Sequence, residues 1–466
     1  MSIELDTSFL KSLNSKFYTT CSATPLSGVK LVSHNQKLID ELGVKLDEKE
    51  LISLLNGTLK ISSQTYASAY SGHQFGYFTP NLGDGRALNL GKINNYNLQL
   101  KGSGKTVYSR DGDGRAVLRS SIREYLISEA MHALGVQSSR AVAIITSNTP
   151  VFRESEEQGS IVLRASKSWM RFGSFEFAYL KSNKKESLIN LADFVINESF
   201  SHLQNADNCY EKLYFEIVDK TLKMVVKWQS LGFMHGVMNT DNMSIDGLTI
   251  DYGPFAFMES FNRAKICNNS DYDGRYSFEN QPFIAQWNLL VLSKMFSPIA
   301  NQELLESYAN SFIGKYKKSY FEVMSKKLGL VECFDEDISL IQHLLKALEQ
   351  DEVDYTPFFY NLSLANYEPF NEYKNIQEWL KLYKKRLALQ AITKEQRLSQ
   401  MRKINPKYVL KNYMFQNAIQ KAQDGDFLHV KELLQIAQDP YALHVEHEEY
   451  AKSSSKLQSI TCSCSS

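Results

Sequence analysis

Between Leu98 and Gly135 the chain reads as a strand, a glycine-rich turn and a helix in direct succession, and no other stretch limits the fold as tightly. Leu98 and Leu100 alternate with polar neighbours as in a half-buried strand, and the strand ends on Lys101. Gly102-Ser103-Gly104 makes the turn. From Ala116 the period becomes helical, through Leu118, Ile122, Leu126, Ala130 and Ala133, with Gly135 placed to close the helix. Gly102-Ser-Gly-Lys-Thr106 has the tail of a P-loop, but G-x-x-x-x-G-K-[ST] needs a glycine where this chain has Gln99.

A strand lysine followed by a helix bearing glutamate is how protein kinases hold ATP: the lysine contacts phosphate and the glutamate orients the lysine. Spacing alone leaves Glu124 and Glu129 both open as that glutamate. Upstream, Gly83, Gly85 and Gly91, with Arg86 among them, predict a hairpin whose tip approaches phosphates. Downstream, the apolar runs Ala141–Ile145 and Ile161–Leu163 predict the remaining strands of a small antiparallel sheet, and Arg164 and Arg171 follow them. Residues 185–231 then read as amphipathic helix.

The second dense stretch runs from Leu231 to Glu259. His235 and Asn242 have the spacing of the His and Asn in H-R-D-x-x-x-x-N, and Asp251-Tyr252-Gly253 stands where a kinase has D-F-G. The aspartate of the kinase catalytic loop is replaced by Val237. Asn242 and Asp251 are hard oxygen ligands suited to magnesium, with manganese as the alternative, beside phosphate oxygens. Asp241 is the nearby carboxylate placed to accept a proton from an attacking hydroxyl. Residues 259–282, with Cys267, occupy the position of an activation segment, and a helix is predicted from about Ile284. Beyond residue 300 helices follow one another, interrupted at Asn405-Pro-Lys-Tyr-Val-Leu-Lys-Asn-Tyr413.

Composition excludes several other classes. Lys+Arg and Asp+Glu are both 52, which argues against broad binding to nucleic acid or to an anionic membrane. No apolar run approaches the roughly 20 residues of a membrane span, and the first 25 residues carry no secretory or transit pattern. The expected compartment is the cytoplasm. Six scattered cysteines do not make a disulfide scaffold.

Taken together, Ser71-Gly-His-Gln-Phe-Gly76, Leu82-Gly-Asp-Gly-Arg86, Lys101-Gly-Ser-Gly104, Asp113-Gly-Arg-Ala-Val-Leu-Arg-Ser-Ser-Ile-Arg-Glu124, His235-Gly-Val-Met-Asn-Thr-Asp-Asn-Met243, Asp251-Tyr-Gly-Pro254 and Asn405-Pro-Lys-Tyr-Val-Leu410 resemble the SelO family, the selenoprotein O-like protein adenylyltransferases. The resemblance implies an α+β, protein-kinase-like bilobal fold: a small antiparallel sheet lobe, a large helical lobe and a C-terminal helical extension. The matching division is 1–60 as a leading segment, 61–180 as the smaller lobe, 181–370 as the larger lobe and 371–466 as the extension. It also implies that ATP binds turned around and that AMP passes to Ser, Thr or Tyr hydroxyls of proteins. By the family pattern Gly83, Gly85, Arg86, Lys101, Asp113, Gly114, Arg164, Arg171 and Asp251 hold the nucleotide. Lys101 pairs with Glu124, Asn242 and Asp251 hold the metal, and Asp241 takes the proton. Val237 is a family feature. Relatives with selenocysteine near the C-terminus suggest a regulatory disulfide from Cys267 to Cys464, or to Cys462. A protein kinase lacking the usual aspartate and a non-catalytic nucleotide-binding scaffold are the alternatives.

Overall fold

The Leu98 strand lies at the centre of an antiparallel sheet in the computed structural model, which describes residues 3–452. The strand order is β1 (Tyr18–Thr20), β3 (Tyr66–Ser68), β6 (Ala87–Ile93), β7 (Tyr96–Lys101), β10 (Glu156–Ser166), β9 (Arg140–Phe152) and β2 (Lys30–His34), with β8 (Ala116–Val117) paired to β10. Both margins of the sheet, β1 and β2, thus come from the first 60 residues. A separate short hairpin joins β4 (Gly72–Gln74) to β5 (Tyr77–Thr79). With the many helices, the fold is α+β.

Alternation along β7 divides its side chains between two environments. Leu98 and Leu100 join Leu88, Leu90, Ile161 and Leu163 in a core closed by α1 (Gln36–Leu42) and α2 (Glu48–Leu55). Each leucine buried there contributes roughly 1.5–3 kcal/mol. Gln99 and Lys101 take the other face. There the register sets Asn89 of β6 and Arg164 of β10 on either side of Gln99, and all three side chains are buried. Gln99 Nε2 donates to Asn89 Oδ1 at 3.0 Å, and Arg164 donates to Gln99 Oε1. Such a buried polar row is stable only because its members satisfy one another.

Register also corrects one expectation. β6 and β7 pair Ala87 with Lys101 and Ile93 with Tyr96, so the hairpin tip is at Asn94-Asn95, at the opposite end from the lysine. Gly83, Gly85 and Arg86 form instead the run into β6 at the lysine end, while Gly91 marks a register shift against β7, where a side chain would meet the Asp6 carbonyl oxygen at 2.9 Å.

The helix after the glycine turn is α3 (Leu118–Ala133). It starts two residues later than its periodicity suggests, because Ala116 and Val117 pair with β10. Gly135, at φ +78°, follows its last turn. The sheet covers one side of α3. The other side is covered by two helices from far along the chain, Asn412–Gln423 and Leu428–Gln438, which contribute Phe415, Ala418, Val430, Leu433 and Leu434 to the core containing Leu118, Ile122 and Leu126.

The helical part begins with α4 (Phe172–Tyr179) and α5 (Lys184–Ser199). It is built around α6 (Cys209–Leu231), whose Leu213, Ile217, Val225 and Trp228 are buried and whose end is Gly232 at φ +70°. α7 (Gln281–Phe296) starts ahead of Ile284, with Pro282 in its first turn, where a missing N–H costs nothing. α8 (Gln302–Asn310) and α9 (Phe312–Lys327) follow, and α10 (Glu336–Gln350), α11 (Tyr355–Ser363), α12 (Lys374–Leu387) and α13 (Lys394–Arg402) pack around a second core with Phe358, Trp379 and Tyr383. The two helices over α3, here α14 (Asn412–Gln423) and α15 (Leu428–Gln438), complete the chain order. No helix of the described residues is long and apolar enough to cross a membrane.

Lys327, at the end of α9, is buried with its ammonium 4.3 Å from the centre of the Phe359 ring. Burial, with the Lys227 charge adding to it, pushes its pKa down to about 7. A lysine in the unfolded chain titrates at about 10.4. The unfolded state therefore binds more protons between those values, and this group's contribution to stability rises with pH across that window. Lys327→Met is expected to stabilise the protein at pH 6–7 by on the order of 1–3 kcal/mol and to flatten the rise. Melting temperature measured from pH 6 to 10 checks it; a less stable variant at pH 6–7 would show that the ring contact outweighs the burial cost.

Candidate active site

Lys101, Glu124, Arg164, Arg171 and Asp251 come from five separate elements or loops and meet in one cluster. Lys101 Nζ lies 2.6 Å from Glu124 Oε2 and 3.4 Å from Asp251 Oδ1. Arg164 bridges the two carboxylates, at 2.6 Å to Glu124 Oε1 and 2.8 Å to Asp251 Oδ1. Arg171 donates to Asp251 Oδ2 and to the backbone carbonyl of Asp241, each at 2.8 Å. Its guanidinium lies 4.4 Å from the centre of the Tyr70 ring, and that of Arg164 lies 4.7 Å from Trp169. The choice between glutamates is settled by geometry, because Glu129 is committed elsewhere, with both oxygens 2.7 Å from Arg140.

Burial by itself would raise the Glu124 carboxyl, but the Lys101 and Arg164 charges outweigh it and hold the group below its usual range. The same contest at Asp251, with Arg171, Lys101 and Arg164 all opposing burial, leaves that carboxyl well below the ordinary value. For Lys101 burial wins, and its pKa is lowered despite Glu124 and Asp251. The cluster holds three cations against two carboxylates, an excess of positive charge.

The cluster opens into a cleft of about 800 Å³ lined also by Gly83, Gly85, Arg86, Asp113, Gly114, Asp241 and Asn242. Three loops stack to form its wall. Gly102 N donates to Arg86 O at 2.7 Å, and Gly104 N to Gly114 O at 3.0 Å. A side chain on Gly114 would meet the Gly104 carbonyl at 2.3 Å, and one on Gly85 would meet Tyr108 O at 2.9 Å. Asp113 turns to the rim, paired with Arg153 at 2.7 and 3.0 Å.

The loop from His235 to Phe255 is bracketed by a two-stranded ribbon, β11 (Phe233–Met234) with β12 (Ala256–Phe257). His235 is buried, stacked on Trp228, with Nε2 3.1 Å from Ile250 O, and burial lowers its pKa, so it organises the loop as a neutral ring. Asn242 Nδ2 donates to Val237 O at 3.1 Å. Asp251 takes φ +56°, a left-handed conformation that turns its carboxylate to the cations. Asp241 is nearly covered. Its Oδ2 accepts from Gln74 at 3.2 Å and its Oδ1 has no hydrogen-bond partner. Burial pushes its pKa up to about 6, against the Gln74 bond and the Arg171 charge.

Sequence reading gave no role to Gln74, which lies within the Ser71–Gly76 motif, or to Tyr70, Gln99 and Arg153. Gln99 shares the parity of Lys101 on β7, a signal that was present. Gln74 reaches Asp241 because the β4–β5 hairpin lies on the loop, where His73 N donates to Thr240 Oγ1 at 2.7 Å and Phe75 N to Asn239 Oδ1 at 3.0 Å. Nothing local to residue 74 announces that.

Cys267 is buried rather than presented on a surface segment, with Sγ 3.7 Å from the carbonyl oxygens of Met234 and Pro254. Its expected partners, Cys464 and Cys462, lie outside the described residues, and no two described cysteines stand at disulfide distance. The structure gives that pairing no support.

A strand lysine paired with a helix glutamate is the arrangement by which protein kinases hold the phosphates of ATP. Residues 2–438 match the family described as Protein adenylyltransferase SelO. The chain is 42% identical over 474 residues to the Protein nucleotidyltransferase YdiU of Vibrio parahaemolyticus, covering 97% of each chain. It is 41% identical over 458 residues to that of Pseudomonas fluorescens SBW25, covering 94% of each. With that of Myxococcus xanthus it shares 40% over 447 residues, 92% of this chain and 91% of the relative. The class is thus nucleotidyltransferase. Within it, the chain belongs to the SelO family.

Proposed function

We propose that the protein is an adenylyltransferase that moves AMP from ATP to Ser, Thr or Tyr hydroxyls of other proteins and releases pyrophosphate. The observation that carries this reading is the convergence of Lys101, Arg164 and Arg171 on Asp251 at the inner end of the cleft, next to Asp241. Two arginines beyond the lysine offer more donors than a kinase lysine alone, and guanidinium forks suit the terminal phosphates of an inverted triphosphate. Lys101, held by Glu124, would then face phosphates nearer the reacting one, with Gly83, Gly85, Arg86, Asp113 and Gly114 along the rest of the nucleotide.

The residues present fit a magnesium or manganese ion: Asn242 and Asp251 both line the cleft, and the Asp251 side chain is 21% exposed there. Among the described residues no three His, Cys, Asp or Glu groups gather as a self-sufficient cage, so such an ion would share its shell with phosphate. When bound, it would supply charge neutralisation on the phosphates. In the transfer itself the acceptor oxygen forms a bond to the α-phosphorus, the bond to the β-phosphate oxygen breaks, and pyrophosphate leaves. The hydroxyl proton goes to Asp241, whose pKa of about 6 makes it an ionised acceptor at neutral pH.

In the same reading the fold is kinase-like and two-lobed, with the sheet and α3 as the smaller lobe and the helices from residue 181 as the larger. The strand lysine, helix glutamate and Asp251-Tyr252-Gly253 support it. Val237 at the position of a kinase base speaks against phosphorylation. ATP labelled at the α- or the γ-phosphorus tests the proposal. Label on protein is expected from the α position only, with pyrophosphate released. Label from the γ position alone would establish a kinase, and nucleotide binding without transfer would establish a scaffold.

A further inference from the structure

Glu124 can hold Lys101 only if α3 keeps its rotation and height, and the sheet fixes that helix from its own side, through Glu129 with Arg140, Arg119 with Glu157 and Tyr125 with Ser33. The other side is fixed at Arg123, the neighbour of Glu124, which points about 100° away around the helix. Arg123 is buried, 7% exposed. One arm of its guanidinium donates to Asn412 Oδ1 at 3.2 Å, and another to the Phe255 carbonyl at 3.0 Å. The flat face lies 4.4 Å from the centre of the Phe255 ring and 5.0 Å from that of Phe415, two rings that themselves meet edge to face at 5.5 Å. Asn412 and Phe415 belong to α14, and Phe255 lies four residues past Asp251. One side chain therefore ties together the helix that carries Glu124, the segment that carries Asp251, and the C-terminal helices.

The C-terminal side of this joint is itself anchored. Lys411, next to Asn412, makes a 2.6 Å ion pair with Asp354, both 2% exposed. Asp354 also pairs with Ser260 through the backbone, just beyond β12. Arginine suits the joint because its fork reaches two acceptors while its plane rests on rings.

We infer that Arg123 is a positioning residue for nucleotide transfer, and that α14 acts through it to hold Glu124 and Asp251 at their working separation. This rests on reading the Lys101–Glu124 pair as nucleotide-holding. Arg123→Gln is expected to lower kcat for transfer from α-labelled ATP at least tenfold, with KM for ATP within threefold. Arg123→Lys, which keeps a cation over the rings, is expected to stay within threefold of wild type, and Asn412→Ala to lose about threefold. In a Glu124→Gln background Arg123→Gln should cost clearly less than in wild type, because the part of its effect that passes through the glutamate is already lost. Amide exchange over residues 118–133 in nucleotide-free protein should quicken in Arg123→Gln and not in Arg123→Lys. Equal losses in both backgrounds, or unchanged kcat per folded molecule with unchanged exchange, would overturn the inference. Should Arg123→Gln not fold, Asn412→Ala decides on the same measurements. A γ-label in wild type would overturn the proposed transfer while leaving the dependence on Arg123 readable in kcat.

Discussion

Asp251→Asn protein is expected to transfer AMP at least about 10²-fold more slowly than wild type, since transfer at phosphorus depends on positioning and charge neutralisation, and to melt at lower temperature without nucleotide. Both effects follow from the same contacts. Three cations share the Asp251 carboxylate, and removing its charge leaves Lys101 and Arg164 with Glu124 and deprives Arg171 of its carboxylate contact. Breaking a buried pair costs about 3–5 kcal/mol. With the Asp251 side chain 21% exposed, the lower end applies. Asparagine is the informative replacement because it tolerates the left-handed backbone at φ +56°, so strain does not confuse the result. Turnover per folded molecule and the melting temperature check the two parts. Near-normal turnover would remove Asp251 from the nucleotide site.

Lys101→Met should be as damaging to turnover, roughly 10²-fold or more, and yet leave the melting temperature at or above that of wild type. The sign of the stability change is what separates the two variants. Losing the lysine turns three cations against two carboxylates into two against two, and Arg164 still bridges Glu124 and Asp251 at 2.6 and 2.8 Å. Methionine also removes an ammonium whose burial is unfavourable. A fall in melting temperature as large as that of Asp251→Asn would show that the lysine is there for structure.

The parts of this site that sequence could reveal were those written locally. Lys101 ends an alternating strand and Asp251 sits in a short recognisable run, so neighbours in the chain announce both. Partners drawn from other elements left no such mark. Glu124 and Glu129 look equivalent on a helix, and only the approach of Arg140 from β9 decides between them. Register works the same way: the alternation of β7 was visible, but the position of the turn at Asn94-Asn95 follows from cross-strand pairing. Cys267 stands in a polar stretch and is nonetheless buried, because the fold of residues 259–282 brings it against Met234 and Pro254.

The covering of α3 by α14 and α15 also sets a timetable. Asn412 follows Arg123 by 289 residues. At ribosomal speeds of about 5–20 residues per second, the lysine strand and the glutamate helix emerge on the order of 15–60 s, and Asp251 on the order of 8–32 s, before the second wall of that helix exists. During that interval the side of α3 against which α14 and α15 will pack has no cover of its own. A nascent chain stalled before residue 412 would hold every charged group of the cleft and still present a sticky helix to chaperones, so translation itself delays the moment at which this enzyme can begin to act.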